Sequence, residues 1–279
     1  MHQAPSKDYN ACQLAAAVTT FAQRIENDPY RWPVSLRQSL LDNISIVLVD
    51  TKTPANIGAV ARCMMNTGLS RLILVEPPTD RNHEALRLAA GAGAILAAAE
   101  TYDSLEKAVA DHHLVIGTSR HKGKQRKNMR SPRVQAELVV PLLSHNKAAV
   151  LFGNEVNGLT NQDLALCHAL IAIPSADAFP SLNLSHAVMI VAYELFLAAG
   201  AAPSVSQTAL AAGADTEQFY RHLQQTLQAI GFLDKEHPER MMLSLRQLFG
   251  KARLSSRDIG ILQGILSAVD RARGSGNGR

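Results

Sequence analysis

The chain has 279 residues, 47% of them hydrophobic and 19% charged, a balance that excludes a disordered or collagen-like chain and leaves length for a sizeable core. Its 28 Lys+Arg against 24 Asp+Glu leave a net charge of +4, an excess that matters for nucleic-acid binding only where it is clustered. Three scattered cysteines, Cys12, Cys63 and Cys167, cannot form a disulfide framework, a CxxC pair or a zinc site, which predicts a reducing, cytoplasmic setting.

Residues 1–40, with the lone Trp32 and one helical-looking piece at about 11–25, read as an N-terminal extension, and MHQAPSKDYN has neither the basic start nor the apolar run of a secretory signal. From Asn43 the pattern changes. The runs ISIVLV (44–49), RLILV (71–75), HLVIGTS (113–119), AAVLF (148–152) and ALIAI (169–173) are short and alternate little, as strands buried on both faces of a parallel sheet do. Helix-length segments at 56–67, 83–96, 105–111 and 159–166 separate them, which predicts an α/β fold with a parallel sheet. The longest apolar stretch, 187–202, is interrupted by Glu194 and falls short of the ~20 residues that span a bilayer. It reads as a buried core helix.

Residues 201–216 are poor in large apolar side chains and read as a linker between a domain at 41–200 and a small helical module at 217–273. The module holds three amphipathic stretches, FYRHLQQTLQAIGF, RMMLSLRQLFGKARL and SSRDIGILQGILSAVDRA, broken by Gly, Pro and Ser. Residues 274–279 read as a disordered tail.

Three strand-to-helix loops could carry chemistry, because α/β proteins place ligands at the carboxyl ends of their strands. In DTKTPANIGAVARCMMNTG (50–68), Gly58 and Arg62 share a helix face while Ile57, Val60, Ala61 and Met64 form the buried stripe, so Arg62 points away from the core. AAVLFGNEVNGLT (148–160) runs from a buried strand into Gly153, Asn154, Glu155, Asn157 and Gly158, a loop that lets a ligand approach the backbone. It lacks a P-loop's GxxxxGK[ST], and its Glu suits an adenine or a sulfonium better than a phosphate. In ALIAIPSADAFPSLNLSHAVMIVAYEL (169–195), Ser181, Asn183 and Ser185 open a helix. Taken singly, each loop also reads as an ordinary capped turn. GAG at 91–93 sits in an Ala-rich helical stretch without a third Gly, a poor match to a nicotinamide-binding fingerprint. No HExxH or His/Cys cluster accompanies His112, His113 and His186, so no metal is expected.

In order and separation, N56-I-G-A-V-A-R62, F152-G-N-E-V-N-G-L159 and S181-L-N-L-S-H resemble the three motifs of the SPOUT (SpoU/TrmD) class of RNA 2′-O-ribose methyltransferases. The C-terminal helices, with RQLFGKARLSSRDIGILQGIL at 246–266, are similar to the extension of its TrmJ type, which acts on tRNA cytidine or uridine at position 32. The resemblance covers about residues 43–270. It implies an α/β parallel sheet with a C-terminal trefoil knot, a homodimer, S-adenosylmethionine as cofactor and tRNA as partner, with no membrane and no metal. Asn56, Arg62, Glu155 and Ser181 are the implied catalytic positions. Thr118, Ser119, Arg120, Gly153, Ile173, Ser181, Leu182 and Asn183 are the implied cofactor-binding ones. Methylation of ribosomal RNA, or RNA binding without catalysis, are the competing implications.

The run from Arg120 to Arg133 holds seven Lys/Arg and no acid. By itself it reads as a solvated segment; beside an RNA-methylating pocket, Lys122, Lys124, Arg126, Lys127 and Arg130 read as phosphate contacts. Arg240, Arg246, Lys251, Arg253 and Arg257 on the C-terminal helices read as a second tRNA-docking surface.

Overall fold

The computed structural model describes residues 34–78, 82–119, 129–201, 209–234 and 238–276. The elements in chain order are α1 (Val34–Leu41), β1 (Ile44–Val49), α2 (Pro54–Asn66), β2 (Arg71–Val75), α3 (Asn82–Ala89), α4 (Gly93–Ala97), β3 (Glu100–Tyr102), α5 (Leu105–Val109), β4 (Leu114–Thr118), β5 (Met129–Arg130), α6 (Pro132–Val139), β6 (Ala148–Phe152), α7 (Asn161–Ala165), β7 (Ala169–Ile171), α8 (Leu184–Gly200), α9 (Gly213–Ala229), α10 (Pro238–Ala252) and α11 (Ser256–Gly276). Seven strands form one sheet in the order β3-β2-β1-β6-β4-β7-β5, and every pairing is parallel.

The unbroken apolar strands follow from burial on both faces. Ile44, Ile46 and Leu48 enter one core with α1, α2, α3, α6 and α8. Val47 and Val49, pointing the other way by the period-2 alternation, enter a second core with α5 and α7. Leu48 lies opposite Leu74 of β2 on one side and Phe152 of β6 on the other, so β1 is central and has no edge to present to water. The expected parallel α/β sheet is what the chain builds.

Several boundaries differ from the sequence expectation. The helix expected over 83–96 is two, α3 and α4, because Ala90 and Gly91 adopt φ of +42° and +98°, left-handed values that end a helix. Edge strands β3 and β5 and helices α1 and α6 had no sequence expectation, and β5 lies inside the basic run. The helical piece at 11–25 lies outside the described residues. The stretch read as a linker to 216 is already helical from Gly213, and Leu210 and Ala211 are buried. The reason is its small side chains: Gly213 N–H donates to the His112 carbonyl at 2.9 Å and Ala214 N–H to that of Ala110 at 3.0 Å, so the helix start docks by its backbone. Finally, α11 runs to Gly276, into the expected tail; Arg273 donates to the Ala229 carbonyl at 3.2 Å and ties that turn to α9.

The three C-terminal helices have their own core around Phe219, Tyr220, Leu223, Met242, Ile259 and Leu266, with Phe219 and Phe249 packed edge to face. This bundle meets the sheet at the amino ends of β4 and β7, where a cavity is lined by His113, Leu114 and His168 on one side and by Thr216, Tyr220, Phe249 and Gly250 on the other. Among the described residues, no helix is long and apolar enough to cross a membrane.

Candidate active-site cleft

At the other end of the same strands the carboxyl termini of β4, β6 and β7 open into a cleft. Thr118 ends β4 and Ser119 follows it, residues 153–159 follow β6, and Ile171 ends β7, followed by Ile173, Pro180, Ser181, Leu182 and Leu184. The cleft therefore gathers Thr118, Ser119, Gly153, Glu155, Ile173, Ser181 and Leu182 from the sequence-expected set. Arg120 lies outside the described residues. Phe152, Leu159, Leu184 and Ala187 supply an apolar wall that sequence reasoning missed, since nothing in their apolar character separates them from ordinary core.

Gly153 is there because backbone needs the space. A Cβ at this position would lie 2.0 Å from the Gly158 carbonyl carbon and 2.2 Å from the Leu159 nitrogen, distances no side chain tolerates. The returning strand of the loop thus presses against its start, with an Asn154–Gly158 bridge closing it. Asn154 Oδ1 accepts from the Val156 and Asn157 N–H groups at 3.0 and 2.8 Å, the Asx turn that Asn favours.

Glu155 reaches from this loop to the start of α2. Its Oε1 accepts from Asn56 Nδ2 at 2.7 Å and from the Thr53 N–H at 3.3 Å, and its Oε2 from the Lys52 N–H at 3.0 Å. Thr53, the N-cap residue, makes no side-chain cap bond of its own, so the carboxylate from about 100 residues away serves the positive end of α2 instead. Burial pushes the Glu155 carboxyl up, but the Asn56 amide and the Lys52 and Thr53 N–H groups outweigh it and hold the group below its ordinary value. Both oxygens are already engaged.

Asn56 links this network to the third loop. Its Oδ1 accepts from Asn183 Nδ2 at 3.2 Å. The Asn183 Oδ1 in turn accepts from the N–H and hydroxyl of Ser185 at 2.9 and 2.7 Å, capping α8. Asn183 is exposed and lies between the lining residues Leu182 and Leu184. A second strut escaped the sequence: Asp50, in left-handed backbone at φ +53°, accepts from Asn154 Nδ2 at 3.0 Å and pairs with the Lys52 ammonium. Its signal is backbone conformation, which composition does not reveal. All three candidate loops are thereby joined by side-chain hydrogen bonds.

Arg62 sits on α2 and is exposed, as the helix phase requires, with Ile57, Val60, Ala61 and Met64 buried behind it. Gly58 lets α3 cross closely: a Cβ there would stand 2.1 Å from the Ala85 carbonyl oxygen. Lys122, Lys124, Arg126 and Lys127 lie outside the described residues. Arg130 is exposed on β5, with Nη1 3.4 Å from Gln135 Oε1. On the bundle, Arg240, Arg253 and Arg257 are exposed. Arg246 is not available as a docking residue: it forms a two-point ion pair with Glu217, Nη2–Oε2 2.7 Å, and lies 4.3 Å over the Tyr220 ring, so its charge holds α9 to α10.

The SpoU rRNA Methylase family model matches residues 43–193, and the model of the TrmJ C-terminal domain matches residues 214–278. The tRNA (cytidine/uridine-2′-O-)-methyltransferase TrmJ of Pectobacterium atrosepticum is 40% identical over 237 residues, 83% of this chain and 98% of its own. The tRNA (cytidine/uridine/adenosine-2′-O-)-methyltransferase TrmJ of Pseudomonas aeruginosa is 40% identical over 249 residues, 84% of this chain and 97% of its own. Among solved structures, TrmJ from Z. mobilis ZM4 superposes with a TM-score of 0.71 at 31% identity, covering 81% of this chain and 98% of that one.

Proposed function

The chain belongs to the SpoU methylase family, in its TrmJ branch, and from that membership we propose that it transfers a methyl group from S-adenosylmethionine to a ribose 2′-hydroxyl of tRNA, at cytidine or uridine 32 of the anticodon loop. The observation that carries this is the joint match of the cleft domain and of the C-terminal bundle to one kind of enzyme. The bundle favours tRNA over ribosomal RNA as substrate, despite the family's name.

The cleft fits the cofactor. Among the described residues, Glu155 is the one charged side chain in its lining, a sign of charge that suits a sulfonium, and Gly153 lets the 158–159 backbone close on the start of the loop. Thr118, Ser119, Gly153, Ile173, Ser181 and Leu182 would hold it, and it supplies a methyl on an already activated leaving group. What remains for the protein is to place the hydroxyl and ease loss of its proton. Arg62 carries a guanidinium, which keeps its proton; it orients the hydroxyl or its neighbouring phosphate and stabilises developing negative charge rather than acting as a free base. Ser181 binds at the cleft wall. Glu155 and Asn183 act through Asn56, holding the Arg62 helix against the cofactor loops.

A trefoil knot through the β6–α8 region, a homodimer and a cytoplasmic location belong to the same reading. The convergence of the 153–159 and 173–184 segments on one cleft supports the first. Exposed apolar side chains on α2 and α8, Met65 at 51%, Tyr193 at 50% and Ile190 at 38%, support the second. The bundle from 213 onward and the basic run after Ser119 are the two tRNA-docking regions.

The test is incubation with S-adenosylmethionine and total tRNA, followed by mass mapping. A new 2′-O-methyl nucleotide at position 32 is expected, and methylation confined to ribosomal RNA overturns the assignment.

A further inference from the structure

The two most exposed large apolar side chains among the described residues both belong to the loops of the cleft: Phe179 at 77% and Val156 at 71%. Val156 is in the lining, and Phe179 immediately precedes the lining residues Pro180, Ser181 and Leu182. Leaving a Phe in water forgoes about 2–3 kcal/mol of burial, so its placement here calls for a partner. Nor is the residue on a loose tip. Phe179 N–H donates to the Ala176 carbonyl at 3.1 Å, and the Ser175 hydroxyl donates to the Pro180 carbonyl at 3.1 Å. Pro174 and Pro180 bracket the turn and restrict its backbone further. The ring is presented by a preorganised turn, which lowers the entropy cost of using it.

We propose that Phe179 is a positioning residue for the RNA: its ring stacks on the nucleobase of the nucleotide being methylated and holds that base at the cleft mouth. The proposal rests on the methyltransferase reading above. RNA loops are recognised through nucleotides whose unstacked bases are splayed out, and an unstacked base is commonly held on an aromatic face. Charge divides the mouth accordingly. Arg62 is an exposed cation on α2, suited to phosphate, whereas the Lys52 ammonium is already paired with Asp50. Asp177, exposed on the Phe179 turn, repels phosphate there but tolerates a base, since a carboxylate can accept from the cytosine amino group or the uracil N3–H.

The experiment compares wild type with Phe179→Ala, Phe179→Leu and Phe179→Trp. Methyl transfer to tRNA, S-adenosylmethionine affinity by calorimetry, and quenching of an anticodon stem-loop carrying 2-aminopurine at the target nucleotide are measured together. Phe179→Ala is expected to lower kcat/KM for tRNA by about 5- to 100-fold, the range for loss of one base–aromatic stack, and to abolish quenching, with cofactor affinity within about two-fold. Phe179→Trp restores both; Phe179→Leu, equally apolar but without a π-face, restores neither. Leu performing as well as Phe overturns stacking. So does a fall in cofactor affinity with KM for tRNA unchanged, which makes the residue a cofactor lid, or a change in sedimentation, which makes it a subunit contact. A wild-type protein that methylates no tRNA sinks the functional reading and the stack with it, whereas wild-type methylation that Phe179→Ala leaves unchanged sinks the stack alone.

Discussion

β4 and β7 carry two different kinds of construction at their two ends. At the carboxyl ends, the cleft is made of loops held by half-buried or exposed polar struts: Glu155 to Asn56, Asn56 to Asn183, Asp50 to Asn154. At the amino ends, the junction with the helical bundle is made of backbone contacts and buried imidazoles. His112, 3% exposed, has Nε2 2.9 Å from Ser45 Oγ, and His168 Nδ1 accepts from the Val115 N–H at 2.9 Å. The difference teaches where function and stability are stored. The cleft end keeps its polar groups reachable for ligands, and the junction end keeps them neutral and enclosed.

Paired glycine substitutions should break the two ends apart most sharply. Gly153→Ala drives a Cβ into the Gly158–Leu159 backbone; calorimetry should find S-adenosylmethionine binding lost. At Gly213 a Cβ would stand 2.8 Å from the Val109 carbonyl oxygen and 2.9 Å from that of His112. Gly213→Ala should lower the melting temperature while cofactor affinity stays within about two-fold, because displacing a docked helix start acts on stability. Equal loss of cofactor binding in both variants would mean the ends are not separable.

Arg62→Ala follows in size. The side chain is exposed, so folding and cofactor affinity should hold, with a stability change within about 0.5 kcal/mol. Methyl transfer at saturating tRNA and cofactor should fall ~100-fold or more, as when a positioned transition-state donor is removed. Arg62→Lys should recover little, lacking the planar fork. Near-normal turnover of the Ala variant would remove Arg62 from the mechanism.

How much of this was legible in the sequence divides along physical lines. β1, β2 and β6 were readable to the residue because burial on both faces forces unbroken apolar runs. The edge strands β3 and β5 were not, since short, half-exposed pieces carry no such demand: Glu100 and Thr101 are exposed. The cleft residues could be placed loop by loop, yet the bonds that unite them join residues about a hundred positions apart, and only the order of strands in the sheet sets those pairings. Arg246 shows the opposite failure. An Arg on an amphipathic helix looks like a surface charge until Glu217 is brought beneath it.

Acid separates the ends by pH. Burial, reinforced by Arg71 and Lys147, pushes His112 down to about 4, and burial does the same to His168. Each takes up its proton more readily unfolded, so the stabilisation is complete above the ordinary imidazole value and is lost as pH falls from about 6.5 toward 4, on the order of 3 kcal/mol for His112. The Glu155 carboxyl, held low, keeps its contribution until below the ordinary carboxylate value. The melting temperature should therefore fall between pH 6.5 and 5 while cofactor affinity stays level. His112→Asn should flatten that slope; an unchanged slope would acquit the residue.

The smallest effect concerns how each end grips tRNA. Neutralising Lys122, Lys124, Arg126 and Lys127, which follow the cleft residue Ser119 in sequence, frees RNA phosphates on the cleft side. Neutralising Arg253 and Arg257, exposed on the bundle, frees them on the junction side. Every phosphate left without its cation should flatten the dependence of log affinity on log salt by about 0.7–0.9, so the quadruple variant should lose more slope than the double one, with S-adenosylmethionine affinity unchanged in both. Binding measured across a salt series distinguishes the contributions. If the quadruple variant keeps the wild-type slope and only the double variant loses it, the basic run is a solvated segment and the bundle alone holds the RNA backbone. The cleft would then depend on the distant end of its own strands for substrate, which would make the junction part of the tRNA-binding machinery rather than only a source of stability.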